Sequence, residues 1–167
     1  KHKPYPILEN VEIEAIAAEG KCLLHYDDKV VFVPFCVPGD IVDIQITKKK
    51  HSFMEGRVIN FIQYSDVREK PMCSHFGVCG GCKWQNLPYT EQLKAKQQQV
   101  FDQLTRIGKI ELPEINPILG SVKTSEYRNK LEFGCANKRW YTQEEINAMP
   151  PREEGKEGNL NESAIGF

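Results

Sequence analysis

The hydrophobic positions between residues 11 and 63 fall in short, β-branched, partly alternating runs that never repeat at a helical spacing. Alternation puts every second side chain on one face, as a half-buried strand requires. Such runs stand at residues 11–16, 22–26, 30–33, 41–46 and 57–62, and turn formers part them at Glu19-Gly20, Asp27-Asp28 and Pro38-Gly39-Asp40. Five strands in so short a stretch predict a small antiparallel β-barrel of the OB-like kind, which hides the edges that such strands would otherwise expose.

Beyond residue 63 the pattern changes. Residues 64–71 are polar and contain a proline, and they are taken as the boundary between a first unit, residues 1–65, and a second, residues 66–167. Tyr89, Leu93, Val100, Leu104 and Ile107 recur at separations of three, four and seven, which predicts one face of a helix over residues 88–107. Pro88 suits its first turn and Gly108 its C′ position. Residues 115–119 and 130–135 read as strands. Thr142 to Glu145 reads as the capping box of a short helix that Pro150-Pro151 would stop, and the charged residues 153–163 read as a loop. The fold class is therefore α+β, a barrel followed by a mixed α/β unit.

Composition adds little. At 167 residues, 40 % of them hydrophobic and 27 % charged, with a net charge of -1, the chain is an ordinary globular one that can bury a core without disulfides. The charge is unevenly spread: residues 68–139 hold a surplus of Lys and Arg, and residues 144–162 are rich in Glu. No apolar run approaches the ~18 residues of a membrane span, and the basic, polar start lacks a signal-peptide core, so a cytoplasmic, membrane-free and monomeric protein is expected. In a reducing compartment its six cysteines read as thiols or metal ligands.

Three of those cysteines carry candidate chemistry. Cys73, Cys79 and Cys82 form a C-x5-C-x2-C pattern with Gly80-Gly81 inside the tight step, where a backbone without Cβ atoms can fold around one centre. Three thiolates leave a four-coordinate site incomplete. His75 would complete a Cys3His zinc site, whereas a further cysteine would complete an iron–sulfur site, and the spacing accommodates both. Cys22 and Cys135 lie in predicted strands and Cys36 in a turn, so these three read as core or incidental thiols.

Two basic clusters are candidates for nucleic-acid contact. Lys48, Lys49 and Lys50 stand beside Phe53 at a strand end, a combination that could hold phosphates and stack a base; a solvated charge run is the plain alternative. Arg128 could grip a phosphate bidentately or stack on an unpaired base, or else pair with Glu126 or Glu132. Trp84 and Phe76 flank the cysteine loop, and Trp84 is read as packing over a bound metal.

Several motifs together resemble a known family. Val30-Val-Phe-Val-Pro34, Val37-Pro-Gly-Asp40, Ile44-Gln-Ile-Thr-Lys-Lys-Lys50 and Glu55-Gly-Arg-Val58 are similar to a TRAM domain, an OB-like barrel that delivers RNA to modifying enzymes. The segment from Cys73 to Leu87, with its Cys-Gly-Gly-Cys-Lys-Trp-Gln core, resembles the cluster loop of RumA-type 23S ribosomal RNA uracil-5-methyltransferases, and Tyr127-Arg-Asn-Lys130 resembles a segment of their central domain. Where family barrels have a Gly-x-Gly turn and an Arg, this chain has Glu19-Gly-Lys-Cys22 and Leu24-His25.

The resemblance implies a 4Fe-4S cluster on Cys73, Cys79 and Cys82, with a fourth cysteine beyond Phe167. It implies RNA contact through Lys48, Lys49, Lys50 and Phe53, and through Arg128, Asn129 and Lys130, the partner being a ribosomal RNA loop. It also implies methyl transfer from S-adenosylmethionine to uracil C5 by a Rossmann-like domain that this chain lacks. No glycine-rich fingerprint of that domain is present, no catalytic residue is assigned, and the chain alone is expected to be inactive. The competing expectation is a free-standing RNA-binding or structural-zinc module; a ferredoxin-like carrier would have no use for so much barrel.

Overall fold

The computed structural model describes residues 5–137, 141–149 and 164–166. Six strands, β1 (Ile7–Glu12), β2 (Ala15–Ile16), β3 (Lys21–Tyr26), β4 (Lys29–Pro34), β5 (Ile41–Lys49) and β6 (Phe53–Gln63), form one sheet in the order β1-β5-β6-β4-β3-β2. The edge strands β1 and β2 are successive pieces of one segment joined through Ile13 and Glu14, so the sheet curls until a single stretch of chain serves both edges. Ile13 N–H donates to the Asp40 carbonyl at 2.9 Å and Glu14 N–H to the Leu23 carbonyl at 3.0 Å, which ties the joint to both sides.

Alternation works as the sequence predicts in β3, β4 and β5, whereas the expected strand at 11–16 is split between the end of β1 and β2, and the one expected at 57–62 begins already at Phe53. In β5, Val42, Ile44 and Ile46 point inward and are almost fully buried, and Cys22, Leu24, Val31, Val33, Leu8 and Met54 complete the core. Asp27 and Asp28 both take positive φ, as the two-residue turn between paired Tyr26 and Lys29 requires. One expectation is corrected: the barrel is not purely antiparallel. β4 pairs with β6 in parallel, Val30 facing Phe53 and Phe32 facing Glu55, because the chain first runs through β5 on the far side of β6 and then turns back antiparallel to it, in the direction of β4.

The helical unit begins at α1 (Tyr89–Asp102), with Pro88 at the N-cap, and widens at its end into a π turn at Gln103–Ile107. The left-handed residue after it is Lys109, not Gly108, whose φ is -70°. The predicted apolar face is corrected in part. Tyr89, Leu93 and Leu104 are half-buried but Val100 and Ile107 are exposed, and glutamines add to the hold: Gln92 Nε2 donates to the carbonyls of Trp84 and Leu87 at 3.0 and 2.8 Å, and Gln99 Nε2 to that of Ala17 at 2.7 Å.

Residues 115–119 form no strand, since no neighbouring edge offers them a ladder. Gln97 takes that role, its Oε1 accepting the Ile118 N–H at 3.0 Å and its Nε2 donating to the Asn116 carbonyl at 3.4 Å. Of residues 130–135 only the end is a strand, β7 (Gly134–Ala136), paired with β8 (Ala164–Gly166). Before α2 (Gln143–Ala148) the capping box forms reciprocally: Glu145 N–H donates to Thr142 Oγ1 at 3.2 Å and Thr142 N–H to Glu145 Oε2 at 2.8 Å. The Pro150-Pro151 stop and the loop at 153–163 lie outside the described residues.

Candidate nucleic-acid interface and cysteine loop

β5 and β6 carry the lysine triplet to one end of the barrel. Lys48 faces Glu55 across the ladder, its Nζ 3.4 Å from Oε1 and 5.9 Å from the Phe53 ring centroid. Part of its charge is thereby neutralised within the protein, although an exposed pair of this kind contributes only about 0–1 kcal/mol. Lys49 and Lys50 are exposed without an ion pair among the described residues. Lys29, not singled out in the sequence, joins them: its Nζ donates to the Lys50 carbonyl at 3.2 Å. Phe53 is half-buried against the edge of the likewise half-buried Phe32, with centroids 6.0 Å apart, so one part of the ring is committed to a neighbouring strand.

The connection at residues 64–71, read as a boundary, is fastened to the barrel by Asp40. This carboxylate is fully buried and accepts from Arg68 Nε at 2.8 Å and Nη2 at 2.8 Å, from Val37 N–H at 2.8 Å and from Ser65 N–H at 3.0 Å. The Arg68 guanidinium also lies 4.8 Å from the Phe61 centroid and 5.1 Å from that of Tyr64. Its Nη2 donates to the Phe35 carbonyl at 3.1 Å, which accepts a second bond from Asn86 Nδ2 at 3.2 Å. Phe35 takes φ +61° to turn that carbonyl toward both donors.

The cysteine loop leans on the same corner. Phe76 meets the edge of Phe35 at 5.6 Å, and Trp84 packs where Gly20 leaves room for it. Within the loop, Cys79 Sγ accepts the Gly81 N–H at 3.3 Å. Gln85 bridges two cysteines, its Nε2 donating to Cys82 Sγ at 3.2 Å and its Oε1 accepting the Cys73 N–H at 3.1 Å. Such N–H donors suit thiolates that carry negative charge, so the donor chemistry fits a thiophilic centre. The geometry does not yet fit: among the described residues no three His, Cys, Asp or Glu side chains are gathered as a metal site, and His75 stands exposed beside Ser74.

The other thiols behave as the sequence suggests for the barrel. Burial first, then the nearby Asp40 charge, pushes the Cys22 thiol up to about 12, and burial raises that of Cys36 further. Cys22 Sγ donates to the Cys36 carbonyl at 3.0 Å. Cys135 lies in a strand as expected, but exposed. Arg128, Asn129 and Lys130 are all exposed; Lys130 pairs with Glu132 at 3.2 Å, and neither Glu126 nor Glu132 forms an ion pair with Arg128.

Residues 10–59 match the family model for the TRAM domain of tRNA (uracil(54)-C(5))-methyltransferase. The chain is 55 % identical over 152 residues to a protein of Bacteroides thetaiotaomicron described as an uncharacterized RNA methyltransferase, covering 91 % of this chain and 32 % of the relative. To a second so described, from Porphyromonas gingivalis, it is 54 % identical over 136 residues, 81 % of this chain and 29 % of the relative. It is 37 % identical over 124 residues to the 23S rRNA (uracil(1939)-C(5))-methyltransferase RlmD of Francisella tularensis, covering 74 % of this chain and 28 % of that protein. The chain thus spans about a third of the length of the first of these relatives.

Proposed function

We propose, from the premise that residues 10–59 are a TRAM domain of the tRNA/rRNA uracil-C5-methyltransferase family, that this chain is the RNA-recognition part of an enzyme that forms 5-methyluridine in ribosomal RNA. S-adenosylmethionine would supply the methyl group in a domain outside this chain. What these residues do is hold the RNA. The observation that carries the reading is the barrel end, where Lys29, Lys49 and Lys50 stand around the turn between β5 and β6 that leads into Phe53, with no carboxylate bonded to Lys49 or Lys50 among the described residues. Arg128, Asn129 and Lys130 are proposed as a second contact, open to solvent on the other unit. The enzyme is further proposed to be monomeric and cytoplasmic; no helix among the described residues is long and apolar enough to cross a membrane.

The test is binding of this chain to single-stranded ribosomal RNA sequence across a salt series. Replacing Lys49 and Lys50 together with alanine should weaken unrelated RNAs by similar factors and flatten the slope of log affinity against log salt by about 1.4. An unchanged slope would remove the barrel end from the interface.

The cysteine loop is proposed to supply Cys73, Cys79 and Cys82 to a 4Fe-4S cluster, with a fourth thiolate from outside the chain; zinc with His75 is the alternative. Supporting it are the three thiols at cluster spacing and the N–H groups already directed at two of them. In the reduced, metal-free chain, iodoacetamide should modify exposed Cys73, Cys82 and Cys135 and spare buried Cys22 and Cys36, because the thiolate is the nucleophile and those two thiols stay protonated. Anaerobic loading with iron, sulfide and an added thiol should then shield Cys73, Cys79 and Cys82 and leave Cys135 open. Shielding by zinc but not by iron would favour the zinc site; shielding by neither would leave the loop without a metal role.

A further inference from the structure

A cleft of about 580 Å³ opens between the connection out of the barrel, the end of the cysteine loop, α1 and residues 121–127. Its size is that of an ordinary ligand site. Lys70, Lys96 and Lys123 line it against one carboxylate, Glu69, and no ion pair engages any of the three among the described residues. Lys96 Nζ stands 5.7 Å from the Trp84 ring centroid, so its charge rests on an aromatic face rather than on an acid.

Between the lysines the walls mix the rings of Tyr89 and Tyr127 and the apolar Met72 and Leu87 with the polar Gln85, Gln92, Ser121 and Thr124. The walls are also fixed. The Tyr89 hydroxyl accepts the Ser121 N–H at 2.7 Å and so pins the 121–127 segment to α1, while Gln92 holds the carbonyls of Trp84 and Leu87 beneath it. Tyr127 remains 67 % exposed, with its ring free to receive a partner. Three unpaired cations would attract any phosphate. Flat rings among them add a surface for a base, the combination that binds single strands without reading their sequence.

We propose that this cleft is a further RNA site beside the barrel end and the Arg128 contact, in which phosphates of a single-stranded segment lie on Lys70, Lys96 and Lys123 and one base stacks on Tyr127. It rests on the RNA-binding reading but uses none of the barrel lysines, so the two can fail separately. The experiment uses this chain with a uridine-rich single-stranded RNA carrying 4-thiouridine. Affinity is measured over a salt series, and photo-cross-linked peptides are identified by mass spectrometry.

Cross-links are expected in the peptides containing Tyr89 or Tyr127. Replacing Lys70, Lys96 and Lys123 with alanine should lower the salt slope by about 2. Tyr127→Ala should weaken binding by about 5- to 100-fold, with Tyr127→Phe retaining affinity because stacking needs the ring and not the hydroxyl. All substituted side chains are exposed or on the cleft wall, and an unchanged melting temperature confirms that the variants fold. If every cross-link falls in the barrel and the cleft variants bind as the parent does, the cleft proposal is wrong while RNA binding stands. If the parent itself binds no RNA, both readings fail.

Discussion

Replacing Asp40 with alanine should lower the unfolding free energy by about 3–5 kcal/mol, the effect of removing one partner from a buried ion pair. The substitution leaves the Arg68 guanidinium, whose side chain is only 19 % exposed, without its carboxylate, and it orphans the N–H groups of Val37 and Ser65. For a domain with a total stability of about 5–15 kcal/mol this is a large fraction. Urea denaturation measures it. Because the alanine variant could be too unstable to purify, Arg68→Met and the double variant Asp40→Leu with Arg68→Met complete the test. The double variant should recover part of the loss, since an apolar pair of similar volume needs no desolvated charge. A loss below about 1 kcal/mol for Asp40→Ala would mean that the network is not the clamp between barrel and connection.

Gly20→Val should be the second strong effect, destabilising by about 2–5 kcal/mol from two causes that add. Gly20 has φ +73°, which for a residue with a Cβ costs about 1–2 kcal/mol. A Cβ there would also stand 2.6 Å from Lys83 Cβ and 2.9 Å from Trp84 Nε1, so the cysteine-loop end must move away from the barrel, an overpacking cost of about 1–3 kcal/mol. Unlike Asp40→Ala, this change should open the loop as well as weaken the fold. Hydrogen exchange of the backbone between Lys83 and Leu87 should accelerate more than that of the β5 core. Equal acceleration everywhere would show that Gly20 serves the barrel alone.

Both positions show how much of the site was legible. Val37-Pro-Gly-Asp40 is visible as a turn, and Gly39 does take φ +85° there. Nothing in the turn reveals that Asp40 reaches Arg68, twenty-eight residues away in the chain. Lys48 reads the same as Lys49 and Lys50 in sequence; only the ladder register, which sets it opposite Glu55, separates them. The lysines of the cleft are scattered at positions 70, 96 and 123, so no local pattern could have grouped them.

The sequence by itself determined β3, β4, β5 and the later half of β6, the start of α1 and the capping box of α2. Each is written in a local signal: alternation of two, a proline at the helix entrance, a Thr and a Glu three residues apart. It also determined that three thiols lie close along the chain. Tertiary structure decided the parallel pairing of β4 with β6, the absence of a strand at residues 115–119, and the part that glutamines take in docking α1 while Val100 and Ile107 stay exposed. A strand exists only where another edge completes its hydrogen bonds, and an ion pair or a cleft only where distant segments meet. Neither condition is a property of any short window of sequence.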